Sequence, residues 1–278
     1  MQGKTRQVSL NLEINHFAII QAKSHFPFSF VLTLNVSRCF QFFISLVCCL
    51  TLNNSALRAQ DDKKINNQYW LDFIPHLTLS DAFELYGDAS LRISNEGKQK
   101  IYVLRPSLKL QASPIVSLHA GLGFFYNELT DFKDLLEVRP WEGLKIGWPR
   151  IKGINVKHYF RLEQRYFIYQ ENKKDLFLHR MRYQLKCKVP LNKNTVGEKT
   201  LYLPLAFEWL GTSDEELQTV WMSQNRMTAG IAYVFNKFWG LEFEYMYWWS
   251  RNLPSKSMEP SDQVFRLRLL RNGWILGE

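Results

Sequence analysis

Between His158 and Phe167 the chain reads HYFRLEQRYF, with Arg161, Glu163 and Arg165 on alternate positions and Phe160, Leu162 and Tyr166 on the others. An extended strand sends successive side chains to opposite faces, so this run has one charged face and one greasy face. The pattern returns in run after run to the C-terminus. So many two-faced strands exceed what one ordinary soluble core covers. A sheet closed on itself, apolar outside and polar inside, satisfies them all and leaves no unpaired edge. The expectation is an all-β chain, an antiparallel transmembrane β-barrel preceded by a signal peptide. A soluble sandwich or lipocalin-like barrel with an apolar cavity is the alternative, and it turns the same faces the other way round. Periodicity does not say which face points inward; the total of Phe, Tyr, Trp and Leu faces favours lipid.

Composition agrees. Aromatics make up 15% of 278 residues, with nine Trp, twelve Tyr and twenty Phe, an excess that suits interfacial girdles. Mean hydropathy is only −0.24. Beyond the N-terminal region no apolar stretch reaches the ~18 residues that mark a spanning helix.

Arg38 precedes an apolar run from Cys39 to Leu52, followed by Ala56-Leu57-Arg58-Ala59-Gln60. A basic flank, a short apolar stretch and a small residue before a polar start describe a secretory signal peptide, cleaved after Ala59 or Gln60. A membrane anchor helix is the other reading, for which the run is short. Residues 1–60 are therefore an N-terminal extension and signal, and residues 61–278 the barrel. Removing residues 1–60 takes away five basic residues and one acid, lowering the formal charge from +9 to +5. That excess does not call for nucleic acid. Cys39, Cys48 and Cys49 leave with the signal; Cys187 stays alone, so no intrachain disulfide and no metal-binding cysteine pair is expected.

Eleven candidate strands follow, from Tyr69–Leu79, broken by Pro75, to Asp262–Leu270. Single-chain bacterial barrels have even strand numbers, which points to ten or twelve and throws suspicion on the first segment, as part of a plug or as two crossings. Connections near Ser80, Ser113, Pro149 and Asn236 read as tight. Those near Asn95–Gly97, Thr130–Asp134, Glu171–Asp175, Gly211–Gln224 and Arg251–Ser261 read as longer. Short periplasmic turns alternating with longer external loops suit an outer-membrane barrel. The long link Asn192–Glu198 breaks that alternation.

The runs Arg161-Leu162-Glu163-Gln164-Arg165, His179-Arg180-Met181-Arg182 and Glu137-Val138-Arg139-Pro140-Trp141 resemble those of the domain-of-unknown-function family numbered 2490, common in Bacteroidetes. The resemblance covers most of residues 65–272. It implies a secreted outer-membrane β-barrel and brings no established activity. The chain does not end on the terminal aromatic that many such barrels present to the barrel-assembly machinery; it runs on through Trp274 to Glu278.

The candidate site is the inward charge set: Arg161, Glu163, Arg165, Arg180, Arg182, Glu208, Arg226, Glu242, Glu244, Arg266 and Arg268. Unpaired charge in a narrow lumen is costly, and the arginine fork suits carboxylates. The set reads first as a salt-bridge lattice that fills the barrel and fixes register. It reads second as a polar conduction path or a pocket for an anionic ligand. The leading function is a structural or small-solute channel protein of the outer membrane, with membrane lipid and the assembly machinery as partners. The runner-up is a lipid-modifying barrel enzyme, and the third a soluble periplasmic binding barrel. His158 and His179 fall on the outward face at different heights, and no serine is expected beside either at triad-like spacing. His76 and His119 stand alone. No cofactor is implied, and no metal spacing or phosphate loop is found. Trp148, Trp209, Trp221, Trp239, Trp248 and Trp249 read as an interfacial belt. The acids Asp214, Glu215 and Glu216 read as a solvated loop or a Ca²⁺ site.

Overall fold

The computed structural model describes residues 65–94, 97–130, 133–169, 176–213, 220–252 and 257–275. The signal segment with its three cysteines, the acidic run 214–216 and the loop around Glu171 lie outside them.

The strands are β1 (Asn66–Thr78), β2 (Phe83–Tyr86), β3 (Ala89–Ser94), β4 (Gln99–Leu104), β5 (Ser107–Gln111), β6 (Val116–Leu129) and β7 (Leu135–Gly147). They continue as β8 (Asn155–Tyr169), β9 (Leu176–Pro190), β10 (Thr200–Ser213), β11 (Val220–Val234), β12 (Trp239–Arg251) and β13 (Met258–Ile275). All thirteen belong to one sheet, and a pairing of β13 with β1 closes it. β2 and β3 are halves of one stave, interrupted at Gly87-Asp88. β4 and β5 are halves of the next, interrupted at Arg105-Pro106. The barrel thus has eleven staves.

The expectation of an even count is corrected here. The first segment is neither plug nor double crossing; β1 is a single stave that runs parallel to β13, from Asn66↔Asp262 to Thr78↔Ile275. An odd number of alternating staves makes the first and last run the same way, so β1 begins at one mouth and β13 ends at the other. The expected contrast in loop length is also absent. Connections at one mouth span four to nine residues (79–82, 112–115, 148–154, 191–199 and 235–238), and those at the other four to six (95–98, 130–134, 170–175, 214–219 and 252–257). Strands continue into residues whose polarity reads as loop.

The closing seam is filled on both faces. Outside, Tyr69 stacks on Phe265 with ring centroids 5.7 Å apart, and Phe265 meets Tyr245 at 5.4 Å. Inside, Trp70, Met246, Trp248 and Val264 form a buried cluster. Trp248 is therefore a lumen residue, not part of a belt, because it shares the inward parity of Glu242 and Glu244.

Face assignment follows the period of two. Phe243 is 47% exposed while its neighbours Glu242 and Glu244 are 1% and 5% exposed. Tyr69, Leu71, Leu104, Phe160 and Leu162 are likewise exposed on the outer surface. A greasy girth around a charged interior suits hydrocarbon and is the reverse of a soluble barrel.

Two local features explain the interrupted staves. Pro106 has no N–H for the ladder. Opposite it, a Cβ on Gly87 would lie 2.6 Å from the Arg105 carbonyl oxygen, so the close approach admits only glycine. The break is bridged by Arg105 N–H donating to the Asp88 carbonyl at 2.9 Å, and by the Arg105 side chain donating to the Asp88 carboxylate at 2.7 Å.

The parallel seam is testable. With the four native cysteines replaced, Leu71→Cys and Leu267→Cys, direct partners across the seam, are expected to join under a short thiol crosslinker. The joined chain migrates as a ring on non-reducing denaturing gels, while Leu71→Cys with Phe243→Cys does not join.

Candidate functional site

The lumen is lined by the inward side chains of every stave, and two charge networks dominate it. The first is centred on Glu163 of β8, 1% exposed. Arg180 of β9 donates to it through Nε at 2.8 Å and Arg182 at 2.9 Å, with Arg161 at 3.4 Å and Arg139 of β7 at 3.5 Å. Arg182 also reaches Glu208 of β10 at 2.5 Å, and Arg226 of β11 reaches Glu208 at 3.4 Å. At the other end Glu137 accepts from Arg165 at 2.6 Å and from Arg139 at 2.7 Å.

The second network spans the seam. Asp72 of β1, 1% exposed, accepts from Arg266 Nε at 2.5 Å and from Ser90 at 2.5 Å, and Arg268 approaches it at 3.9 Å. Arg268 also pairs with Glu242 and, at 3.3 Å, with Glu244; Arg266 meets Glu244 at 3.5 Å. Glu242 accepts in addition from Tyr202 and, at 3.1 Å, from Lys188.

All eleven residues singled out from the sequence face the lumen, and each has an ion-pair partner. The structure divides them: Arg161 to Arg226 belong to the first network, Glu242 to Arg268 to the second. Sequence reasoning left out Asp72, Glu137, Arg139, Asp88 and Arg105. Parity marks Glu137 and Arg139 as one face of β7. Asp72 had no such signal, because the inward set of β1 mixes it with Trp70 and Ile74.

The first network holds six arginines against three glutamates. Lumen aromatics take up part of the surplus. Arg139 lies 3.8 Å over the Phe125 ring, Arg161 4.1 Å over Trp141 and Arg226 3.9 Å over Trp248. Arg92 lies 3.9 Å over Trp70. Desolvated cation–π contacts contribute about 2 kcal/mol each. Trp141 fits because Gly121 lies beneath it; a Cβ there would come within 2.6 Å of the indole.

His76 and His119 are not isolated. Both point into the lumen near the mouth of residues 79–82, where His76 Nδ1 meets Glu84 at 2.5 Å. His119 meets Tyr86 at 2.7 Å and Ser117 at 2.9 Å. On the outer face His158 is opposite Leu185 and His179 is opposite Gln164. Contrary to expectation, His179 has a serine beside it, since Ser213 is its direct partner across β9 and β10. Gln164 in turn donates to outward Glu142 at 3.1 Å. Among the described residues no group of three His, Cys, Asp or Glu is placed to hold a metal ion.

The family profile described as a protein of unknown function, DUF2490, matches residues 67–259. The chain belongs to this family. That stretch takes in β2 to β12 whole, and with them Glu163 and the rest of the first network. The chain is also similar to the crystal structure of the β domain of the Bordetella autotransporter BrkA, at 9% identity and a TM-score of 0.41, over 62% of this chain and 78% of that one. No curated protein matches.

Replacing Glu163 by Leu leaves its arginines around an apolar side chain, and a loss of about 3–5 kcal/mol is expected. Gln164→Leu changes an outward residue and is expected to cost less than about 1 kcal/mol. Urea titration read by heat-modifiable gel mobility compares them; coincident midpoints contradict the lattice.

Proposed function

We propose that this is an outer-membrane protein, delivered by a cleaved signal peptide and inserted by the barrel-assembly machinery, whose lumen is closed to free diffusion. Its role is structural or ligand-binding, not that of an open channel. The observation that carries this reading is Glu163, held near the middle of β8 by arginines from three staves. Barrels of about eight strands are filled by their own side chains, and those of 16–18 leave a water channel. Eleven staves carrying arginine and tryptophan inward lie near the filled end. The free space supports this as well, for two lumen cavities have no lining residue in common. Between them Arg161 donates to the Tyr159 hydroxyl at 3.0 Å, and the Tyr159 ring packs edge-on against His119 at 5.7 Å.

In planar bilayers the wild-type protein is expected to give no resolved ohmic steps. Trp141→Ala with Arg161→Ala removes the layer between the cavities and is expected to give them. Sustained wild-type steps overturn the closed lumen.

A second reading, ester hydrolysis at the lipid boundary, is favoured by the outward row Glu142, Gln164, His179 and Ser213. Direct partners have Cβ atoms about 4.5–5.5 Å apart. Gln164 commits its amide nitrogen to Glu142, leaving its carbonyl to accept from the His179 ring and orient it toward Ser213. Ser213 ends β10 and His179 is the fourth residue of β9. With strands longer than the ~9–11 residues a tilted crossing needs, both lie near the depth of lipid ester groups. Fatty-acid release from phospholipid in mixed micelles, abolished by Ser213→Ala and by His179→Ala, establishes this reading; wild-type protein that releases none removes it.

A further inference from the structure

We propose that the lumen cavity at the mouth carrying residues 79–82 and 112–115 is a binding site for a small phosphate-type dianion, inorganic phosphate or a small phosphate monoester. The cavity measures about 340 Å³, and its ionisable lining is Lys109, Lys145, Lys157, Glu84 and His76.

The argument is one of unbalanced charge. Among the described residues Glu84 is the single carboxylate lining this cavity, and it is already engaged, by His76 at 2.5 Å and Lys109 at 3.1 Å. Lys145 and Lys157 have no carboxylate partner among the described residues. Lys145 lies 5.0 Å over the Tyr159 ring. The charges that act on it most strongly, Lys186, Lys157, Arg161 and Lys109, all have its own sign. Around Lys157 the strongest charges are likewise Lys188, Lys109 and Arg150, with Glu84 opposing them. In the two networks deeper in the lumen each cation has a carboxylate, and Arg92 beside them lies over the Trp70 ring. Here like charges converge on open space, an arrangement that low-dielectric surroundings penalise unless an anion enters.

The residue type narrows the ligand. Lysine is a compact point charge with three donors and binds phosphate without demanding a planar, bidentate partner. A neutral donor comes from the hydroxyls that flank His119. A neutral imidazole donates from one nitrogen and accepts at the other. Its two partners are the Tyr86 and Ser117 hydroxyls, at 2.7 and 2.9 Å. One hydroxyl therefore accepts from the ring and does not spend its own proton on it, and Tyr86 and Ser117 both line the cavity. Two unpaired ammonium groups and a hydroxyl donor match a doubly charged oxyanion better than chloride. Lys157 is exposed at the mouth and Lys145 lies deeper in the lumen, so the pair forms an entry route.

The test is equilibrium dialysis of inorganic phosphate against the whole barrel in detergent, with chloride as competitor. Saturable one-site binding that prefers phosphate is expected. Lys145→Met with Lys157→Met is expected to weaken it roughly tenfold or more, since two charge-assisted contacts are lost. Glu84→Gln removes the opposing carboxylate and frees Lys109, so it is expected to tighten binding, a gain that misfolding cannot mimic. Unheated gel mobility reports folding of each variant. Phosphate bound no better than chloride overturns the proposal. So does undiminished binding in a folded double-lysine variant; if that variant does not fold, the Glu84→Gln result decides, and unchanged affinity there overturns it. Binding at equilibrium in detergent does not require a closed lumen, so this outcome is separable from the conductance result.

Discussion

The structure depends on how guanidinium and carboxylate groups neutralise one another inside a closed sheet. Closure satisfies the backbone, but it also forces every inward side chain into a shared, narrow volume. A charge there is tolerable only with a partner on a neighbouring stave. Glu163 illustrates the consequence. Its carboxylate on β8 is reached from β7, from β8 itself and from β9, so the ion pairs tie together staves that backbone bonds join only in sequence. A slip of one residue in any of these pairings would turn arginines out to the apolar girth and aromatics in. The lattice is therefore a register device as much as a filling.

The seam makes the same point where the backbone helps least. Parallel pairs are slightly less stable per residue than antiparallel ones, and β1 against β13 is the one parallel pair among the described strands. Asp72 carries Arg266 and Arg268 across that junction, while Tyr69 on Phe265 seals the outer side. A strand with a weaker ladder is reinforced on both faces by side chains whose partners lie almost two hundred residues away in sequence.

That distance explains which parts of the structure could be read from the chain. Strand positions and faces were legible wherever charge alternates with grease, as in Arg161 to Tyr166 or Leu241 to Tyr247, because a period of two is local. The count of eleven was legible too, and only the even-number rule for bacterial barrels argued against it; the parallel meeting of the first and last strands was not, since nothing local records it. β1 concealed its alternation by carrying Trp70 and Ile74 on the polar side. Trp248 hides its place for the same reason, as an aromatic on a face otherwise marked by glutamate. Charge pairs on the inward set were inferable as a class, but their division into two networks depends on barrel geometry. The meeting of His76 with Glu84, and of His119 with Tyr86, depends on staves whose order alone does not give their heights.

The interrupted staves lie where the character of the lumen changes. On one side of Gly87-Asp88 and Arg105-Pro106 the same two staves carry Ser90 and Arg92, within the arginine–aromatic filling. On the other they carry Glu84, Tyr86 and Lys109, which line the cavity at the mouth. Arg105 and Asp88, paired at 2.7 Å, stand at the boundary. A continuous ladder through Pro106 is impossible, so the staves break where the packing requirement changes. Arginines with carboxylate partners need a dense, fixed surround; lysines without them need room for water or a counter-ion. A break in two adjacent staves lets one barrel hold both kinds of interior, with the rigid lattice holding the more open cavity in shape.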